Sequence, residues 1–327
     1  MKLLTGLNPY GISYHLGLHA RGTPRANPNP VGLGGYIALA TEFGARSIEI
    51  WDGALIGMSD AELIALRDEL KQLGMVPIVS SGLERGPIER LIEIAGLIES
   101  PLIRAALTGV LCGDRAISNP PWAERVASTR EKLGQFAPMA AAAGKIIGIE
   151  NHQDFTSREL VALCEEFGPS IRITYDTGNS FPVAEAPLDF TRVVAPYVRH
   201  VHLKDYNVQQ TPEGFRLVRS ALGDGAVPFR AILDIIGQYR DELTVCMELA
   251  ALEARHVRLK TDAWWQLYPP RDDAAVAGCL AATEVNPLAP DADYRTPWEK
   301  GEDDKLEAWE LAQIRRSAAN MRALGIL

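Results

Sequence analysis

Cysteine is scarce: Cys112, Cys164, Cys246 and Cys279 are the only four in 327 residues, and no two stand at CxxC spacing. That excludes a thiolate zinc ribbon and a disulfide scaffold, and a chain this long needs no staples to hold a core. Four reduced thiols are the expectation. No G-x-G-x-x-G follows an opening strand, so the usual fingerprint of a dinucleotide-binding fold is missing. No run of 18 apolar residues exists and mean hydropathy is −0.04, which argues against a membrane span. Positive charge is in deficit, with 33 Lys and Arg against 42 Asp and Glu, a net of −9. Such a balance repels phosphate backbones and disfavours nucleic-acid binding. The opening MKLLTGLNPYGISYHLGLHA lacks a secretory apolar core, because Asn8, Pro9 and Gly11 interrupt it. The expectation is a cytoplasmic protein, intact as written.

What is present is a repeated alternation of short apolar runs with amphipathic stretches. Strands are predicted at Arg46–Trp51, Met75–Val79, Leu102–Leu107, Lys145–Glu150, Ile171–Asp176, Val198–Lys204 and Leu243–Leu249, with an opening strand near Gly11–His15. Helices are predicted at Gly34–Ala45, Asp60–Leu73, Pro87–Ile98, Trp122–Ala142, Ser157–Phe167, Leu188–Tyr197, Pro228–Tyr239 and Asp304–Leu324. Ser59 and Glu62 form a capping-box pair before the second of these. Eight strands separated by helices, over about 250 residues, predict an α/β chain folded as one (β/α)8 TIM barrel across residues 1–327. Two stretches exceed a minimal barrel. Tyr206–Val227 reads as a polar loop. Residues 251–300 are rich in proline and aromatics and read as an ordered insertion over the barrel mouth or into a partner subunit. Trp264, Trp265, Tyr268 and Trp298 are its candidate interface anchors.

Barrels place functional groups at the C-terminal ends of their strands. The fifth strand ends in Glu150, the sixth in Asp176, the seventh carries His202 and the eighth Glu248, at separations of 26, 26 and 46 residues. Any one of these alone is an ordinary rim residue. Three carboxylates around one buried rim repel each other and call for a positive centre. One divalent cation supplies it, with Mn2+ preferred and Mg2+, Co2+ or Zn2+ as alternatives. His152 lies two residues beyond Glu150 on the same side of an extended strand end, as a general base or as a hydrogen-bond partner of a ligand. His15, Trp51, Arg104, Lys204 and Asn179 are candidate substrate contacts at other strand ends. Lys204 has Asp205 and Glu150 as candidate partners. His200, one layer deeper than His202, reads as structural.

The runs IGIENH, YDTGN, HVHLKD and MEL resemble the xylose-isomerase-like barrel superfamily of sugar phosphate isomerases and epimerases. The resemblance implies that Glu150, Asp176, His202 and Glu248 bind one divalent metal. It also implies that Glu150 and Glu248 exchange protons on opposite faces of a ketose. Three substrate contacts of ketose 3-epimerases are replaced here, by Thr156, Asn179 and Val208. The leading expectation is therefore a metal-dependent sugar isomerase or epimerase, acting beside a polarised carbonyl of a ketose or keto-sugar. The alternative is a lyase working by β-elimination, of the inosose dehydratase or 3-keto-glycoside and C-glycoside deglycosidase type, with His152 as base. Expected partners are a small sugar substrate and further copies of the chain, with a second, different subunit left open. A phosphodiesterase and a non-catalytic binder are the remaining classes; six histidines and net charge −9 disfavour the first, and the full ligand set disfavours the second.

Overall fold

The computed structural model describes residues 1–327. Eight parallel strands close a barrel: β1 (Lys2–Leu7), β2 (Ser47–Trp51), β3 (Val76–Gly82), β4 (Leu102–Ala106), β5 (Ile146–Glu150), β6 (Ile171–Asp176), β7 (Val198–Leu203) and, after a hairpin, β10 (Glu242–Met247). The last strand lies between β7 and β1, which closes the ring. Surrounding helices are α1 (Gly32–Glu42), α2 (Asp52–Leu55), α3 (Asp60–Gln72), α4 (Ile88–Leu97), α5 (Trp122–Ala142), α6 (Ser157–Phe167), α7 (Pro187–Val194) and α8 (Phe229–Ile236). Beyond the barrel strands come α9 (Asp273–Thr283), α10 (Pro297–Lys300) and α11 (Asp303–Ala323). The Ser59–Glu62 capping box opens α3 as expected. The strands read as near-continuous apolar runs because both faces are covered, by helices outside and by packed side chains within. No helix is long and apolar enough to cross a membrane.

The first strand differs from the expectation. It is Lys2–Leu7, paired in register with β10 from Lys2 opposite Glu242 to Leu7 opposite Met247. Gly11–His15 instead begins within a short 3-10 turn, Pro9–Ile12, opened by the Asn8 side chain accepting from the Tyr10 amide. Proline and glycine break the extended pattern there. His15 is turned into the packing against α11, with Nδ1 3.1 Å from Glu307 Oε1 and its amide donating to Glu310 at 2.8 Å.

The Tyr206–Val227 segment is likewise not a loop throughout. It forms an antiparallel hairpin, β8 (Tyr206–Thr211) and β9 (Gly214–Arg219), extended by β11 (Arg255–Val257) into a three-stranded sheet. Asp205 organises its base: the carboxylate accepts from the amides of Tyr206, Gly223, Gly225 and Val227. A Cβ on Gly225 would lie 2.3 Å from Asp205 Oδ1 and 2.5 Å from the Tyr206 carbonyl oxygen, so only glycine fits that approach.

Residues 251–300 fold back on this chain. Trp264 stacks on Tyr268 with centroids 4.3 Å apart, and their polar tips donate to the Cys112 and Gly113 carbonyls. Trp264 is 2% exposed, so it is spent internally and cannot anchor a partner. Trp298 is held by Arg25, 3.4 Å above its ring, and by His19 edge-on at 4.3 Å.

Candidate metal and substrate site

Glu150, Asp176, His202 and Glu248 converge as expected. One ligand atom from each lies within 4.8 Å of all the others, and all four side chains are buried. Register explains the meeting: Asp176 is directly opposite His202 across β6 and β7, and His202 opposite Cys246, two residues before Glu248. His202 Nδ1 is 2.9 Å from both Glu150 Oε1 and Glu248 Oε2. One ring proton cannot serve two carboxylates, and Glu248 Oε2 makes no well-formed hydrogen bond. Three carboxylates and an imidazole with an orphaned buried oxygen are a donor set that fits a divalent cation.

Two cations brace the carboxylates. Arg104 pairs with Glu150 and donates to the Ser81 carbonyl at 3.0 Å. Lys204 Nζ lies 2.5 Å from Asp176 Oδ2 and 2.6 Å from Glu248 Oε1. These are its partners, in place of the expected Asp205 or Glu150. Burial pushes the Glu150 and Glu248 carboxyls up, but Arg104 on the first and Lys204 on the second outweigh it, leaving Glu248 at about 2 and Glu150 well below the carboxylate range. Asp176 goes the other way: burial, with Glu248 and Glu150 repelling its charge, raises it to about 7 despite Lys204. For His202 burial works against protonation, but Glu49 and Glu248 hold the imidazole well above its usual value.

A layer beneath supports these groups. Glu49 Oε2 is 2.6 Å from His202 Nε2 and 3.0 Å from His200 Nε2, and Asn8 Nδ2 donates to Glu49 Oε1 at 3.0 Å. His200 Nδ1 is 2.8 Å from Thr244 Oγ1. Asn151 clamps the Asp176 backbone through both its side-chain atoms, and Asn179 Nδ2 donates to Asp176 Oδ2 at 2.7 Å. Asn179 thus orients a candidate ligand and is fully buried beneath it.

Above lies a cavity of about 660 Å³ lined by Arg104, His152, Lys204 and Glu248 together with Tyr10, Tyr206, Gln153, His19, Glu253 and Arg255. Glu150 does not line it, nor do His15, Trp51 and Asn179. Trp51 packs in the core edge-on to Tyr36, centroids 6.1 Å apart. His152 lines the cavity with Nδ1 unpartnered, and burial pushes its pKa down to about 4, so the ring is neutral near pH 7. The three replaced ketose contacts have other work: Thr156 caps α6, Asn179 holds Asp176, and Val208 is buried in the core. Glu49 is a weaker rim candidate from sequence, at the end of the second strand, while His19 and Arg255 are given no role there. Glu49 was visible as an acidic residue inside an apolar strand run, SIEIW; His19 and Arg255 carry no local signal.

Comparison with known proteins agrees with this architecture. YihM, an uncharacterized protein of Escherichia coli strain K12, is 28% identical over 204 residues, 60% of this chain and 59% of that protein, less than two thirds of its length. The 3-oxo-isoapionate decarboxylase of Pectobacterium atrosepticum is 26% identical over 210 residues, 63% of this chain and 73% of that protein. The solved D-psicose 3-epimerase with D-tagatose from Clostridium cellulolyticum H10 superposes with a TM-score of 0.56 at 17% identity, over 88% of this chain and 98% of that one. At that identity the likeness is one of fold. Residues 37–265 match the xylose isomerase-like TIM barrel family, and the chain belongs to that family.

Proposed function

We propose that this chain is a divalent-metal-dependent enzyme that moves a proton next to the carbonyl of a keto-sugar, as isomerases and epimerases do. The observation that carries the reading is the convergence of Glu150, Asp176, His202 and Glu248 within 4.8 Å, with Glu248 lining a cavity. In this reading those four hold the cation. When bound, it polarises the carbonyl and lowers the cost of the negative charge that develops on proton loss. Glu248 lines the cavity with an ionised carboxylate and is the proton acceptor closest in kind to the family's. His152, neutral and facing the same space, is the second group able to take or return a proton. Arg104 and Lys204 partly neutralise the buried carboxylates.

A lyase is the second reading, and one observation favours it. A two-carboxylate epimerase needs both glutamates against the substrate, yet Glu150 is buried behind Arg104, and of the three candidate proton-transfer groups, Glu150, Glu248 and His152, the last two line the cavity. One acceptor and one neutral imidazole suit a reaction that removes a group beside the carbonyl. A relative named as a decarboxylase of an oxo-sugar acid is consistent with a carbon–carbon lyase. The test is metal analysis together with sugar-proton exchange in D2O, on the wild type, Glu150→Gln and His152→Ala, against ketoses, 3-keto-glycosides and keto-sugar acids. Metal lost in Glu150→Gln and exchange retained in His152→Ala supports proton transfer through Glu248. Exchange lost in His152→Ala with metal retained, and product of lower mass, supports the lyase. Absence of metal from the wild type sinks both.

A further inference from the structure

The cavity carries three fixed cations, and only two have partners in the protein. Arg104 pairs with Glu150, and Lys204 with Asp176 and Glu248. Arg255 lines the same cavity, forms no ion pair, and has a buried Nε with no acceptor. A guanidinium taken partly out of water without an acceptor costs free energy, so this position asks for an anion from outside the chain. His152 in the same lining likewise has a buried Nδ1 without a hydrogen-bond partner, whereas His19 Nε2 lies 3.8 Å from Glu253 Oε1. Arg255 is positioned by backbone, opposite Leu217 in the β9–β11 ladder, so its Cα is set by a sheet rather than a free loop.

We propose that Arg255 is the carboxylate-binding residue of the substrate site, and that the substrate is an acidic keto-sugar rather than a neutral ketose. The planar fork of arginine takes a carboxylate through two parallel hydrogen bonds, a geometry a hydroxyl cannot reproduce. A carboxylate fits better than a phosphate. Glu248 and Glu253 line the same cavity and repel a dianion more strongly than a monoanion. The residue comes from β11, seven residues beyond Glu248, so the segment that follows β10 carries both a candidate metal ligand and the substrate-charge contact. This rests on the reading that the cavity above Glu248 is the substrate site.

The test is equilibrium binding of three non-reacting probes to the full chain: gluconate, glucitol, which replaces its carboxylate by a hydroxymethyl group, and glucitol 6-phosphate. Each is titrated with EDTA present, where no metal can hold the carboxylate, and with Mn2+. The expected result is gluconate over glucitol by about 10–100-fold without metal, the worth of one charge-assisted hydrogen-bonding pair. Arg255→Gln should bring the two within about twofold, with Mn2+ affinity unchanged, and Arg255→Lys should keep part of the preference. Unchanged Mn2+ affinity also shows that the variant is folded. Equal binding of gluconate and glucitol to the wild type, or a preference that survives Arg255→Gln, overturns the proposal, as does glucitol 6-phosphate binding tighter than gluconate. A protein that prefers gluconate through Arg255 but binds no metal would overturn the metal-dependent function and leave the carboxylate site standing.

Discussion

Glu49 Oε2 sits 2.6 Å from His202 Nε2, and that single contact decides which ring nitrogen faces the carboxylate cluster. Burial raises the Glu49 carboxyl, but His202 and His200 outweigh it and hold Glu49 ionised, so it accepts a proton-bearing Nε2. Nδ1 is left pointing at Glu150 and Glu248, oriented to donate a lone pair to a cation between them. Glu49→Gln removes the charge and keeps the shape. The expected outcome is a loss of about 10–100-fold in divalent-metal affinity with unchanged far-UV circular dichroism. Metal titration of the two proteins side by side checks it, and equal affinities would show that Glu49 does not set the ring.

Metal affinity should rise with pH across neutrality. The Asp176 carboxyl is raised to about 7 and His202 is held well above its usual value, so both carry protons that a cation must displace. Each proton released tightens apparent binding by about tenfold per pH unit below the corresponding pKa. The metal-free protein has the opposite dependence at Asp176. A carboxyl raised from 3.8 in the folded chain stabilises fully below 3.8, and that contribution is lost as pH rises through about 7. Calorimetric titration in buffers of different ionisation enthalpy counts the protons. A flat affinity between about pH 6 and 8 with none released would exclude this coupling.

Arg104 is a stand-in counter-charge for Glu150 when no cation is bound. Arg104→Met leaves the buried Glu150 with His202 but without its guanidinium partner, and the metal-free protein should lose about 3–5 kcal/mol of stability. Metal should restore part of that and bind more tightly than to the wild type, because its competitor is gone. Urea unfolding with and without Mn2+ reads both effects. An equal loss in the two conditions would show that Arg104 and the cation do not share Glu150.

Gly225→Ala should destabilise by about 1–3 kcal/mol, since its Cβ meets Asp205 Oδ1 at 2.3 Å and backbone oxygen at 2.5 Å. The amides that Asp205 gathers would have to separate, and burial already holds that carboxyl up at about 6. Thermal or urea denaturation measures the change. Wild-type stability in the variant would mean the hairpin base relaxes freely.

Much of the barrel was legible because each strand is an apolar run long enough to cross it once, and several helices carry start signals, such as the capping boxes of α3 and α6. The α5 and α6 boundaries follow from sequence to the residue. Glu150, Asp176, His202 and Glu248 were legible for a related reason. A charged residue ending an apolar strand has few places to go other than the barrel rim. The first strand was misplaced because Lys2–Leu7 and Gly11–His15 are similar in apolar character, and only pairing with β10 selects the former. The β8–β9 hairpin was read as loop because its strands are polar on one face and belong to a small sheet outside the barrel.

The amino-acid sequence by itself determined the fold class and the four residues that meet, since both depend on local periodicity and on polar residues at strand ends. Only the tertiary structure decided what surrounds them. It set His15 against Glu307, buried Trp51 and Asn179, gave Lys204 to Asp176 and Glu248, and brought Arg255 and His19 to the cavity. Those relationships join residues tens to hundreds of positions apart, and no local pattern in the chain records a partner at that distance.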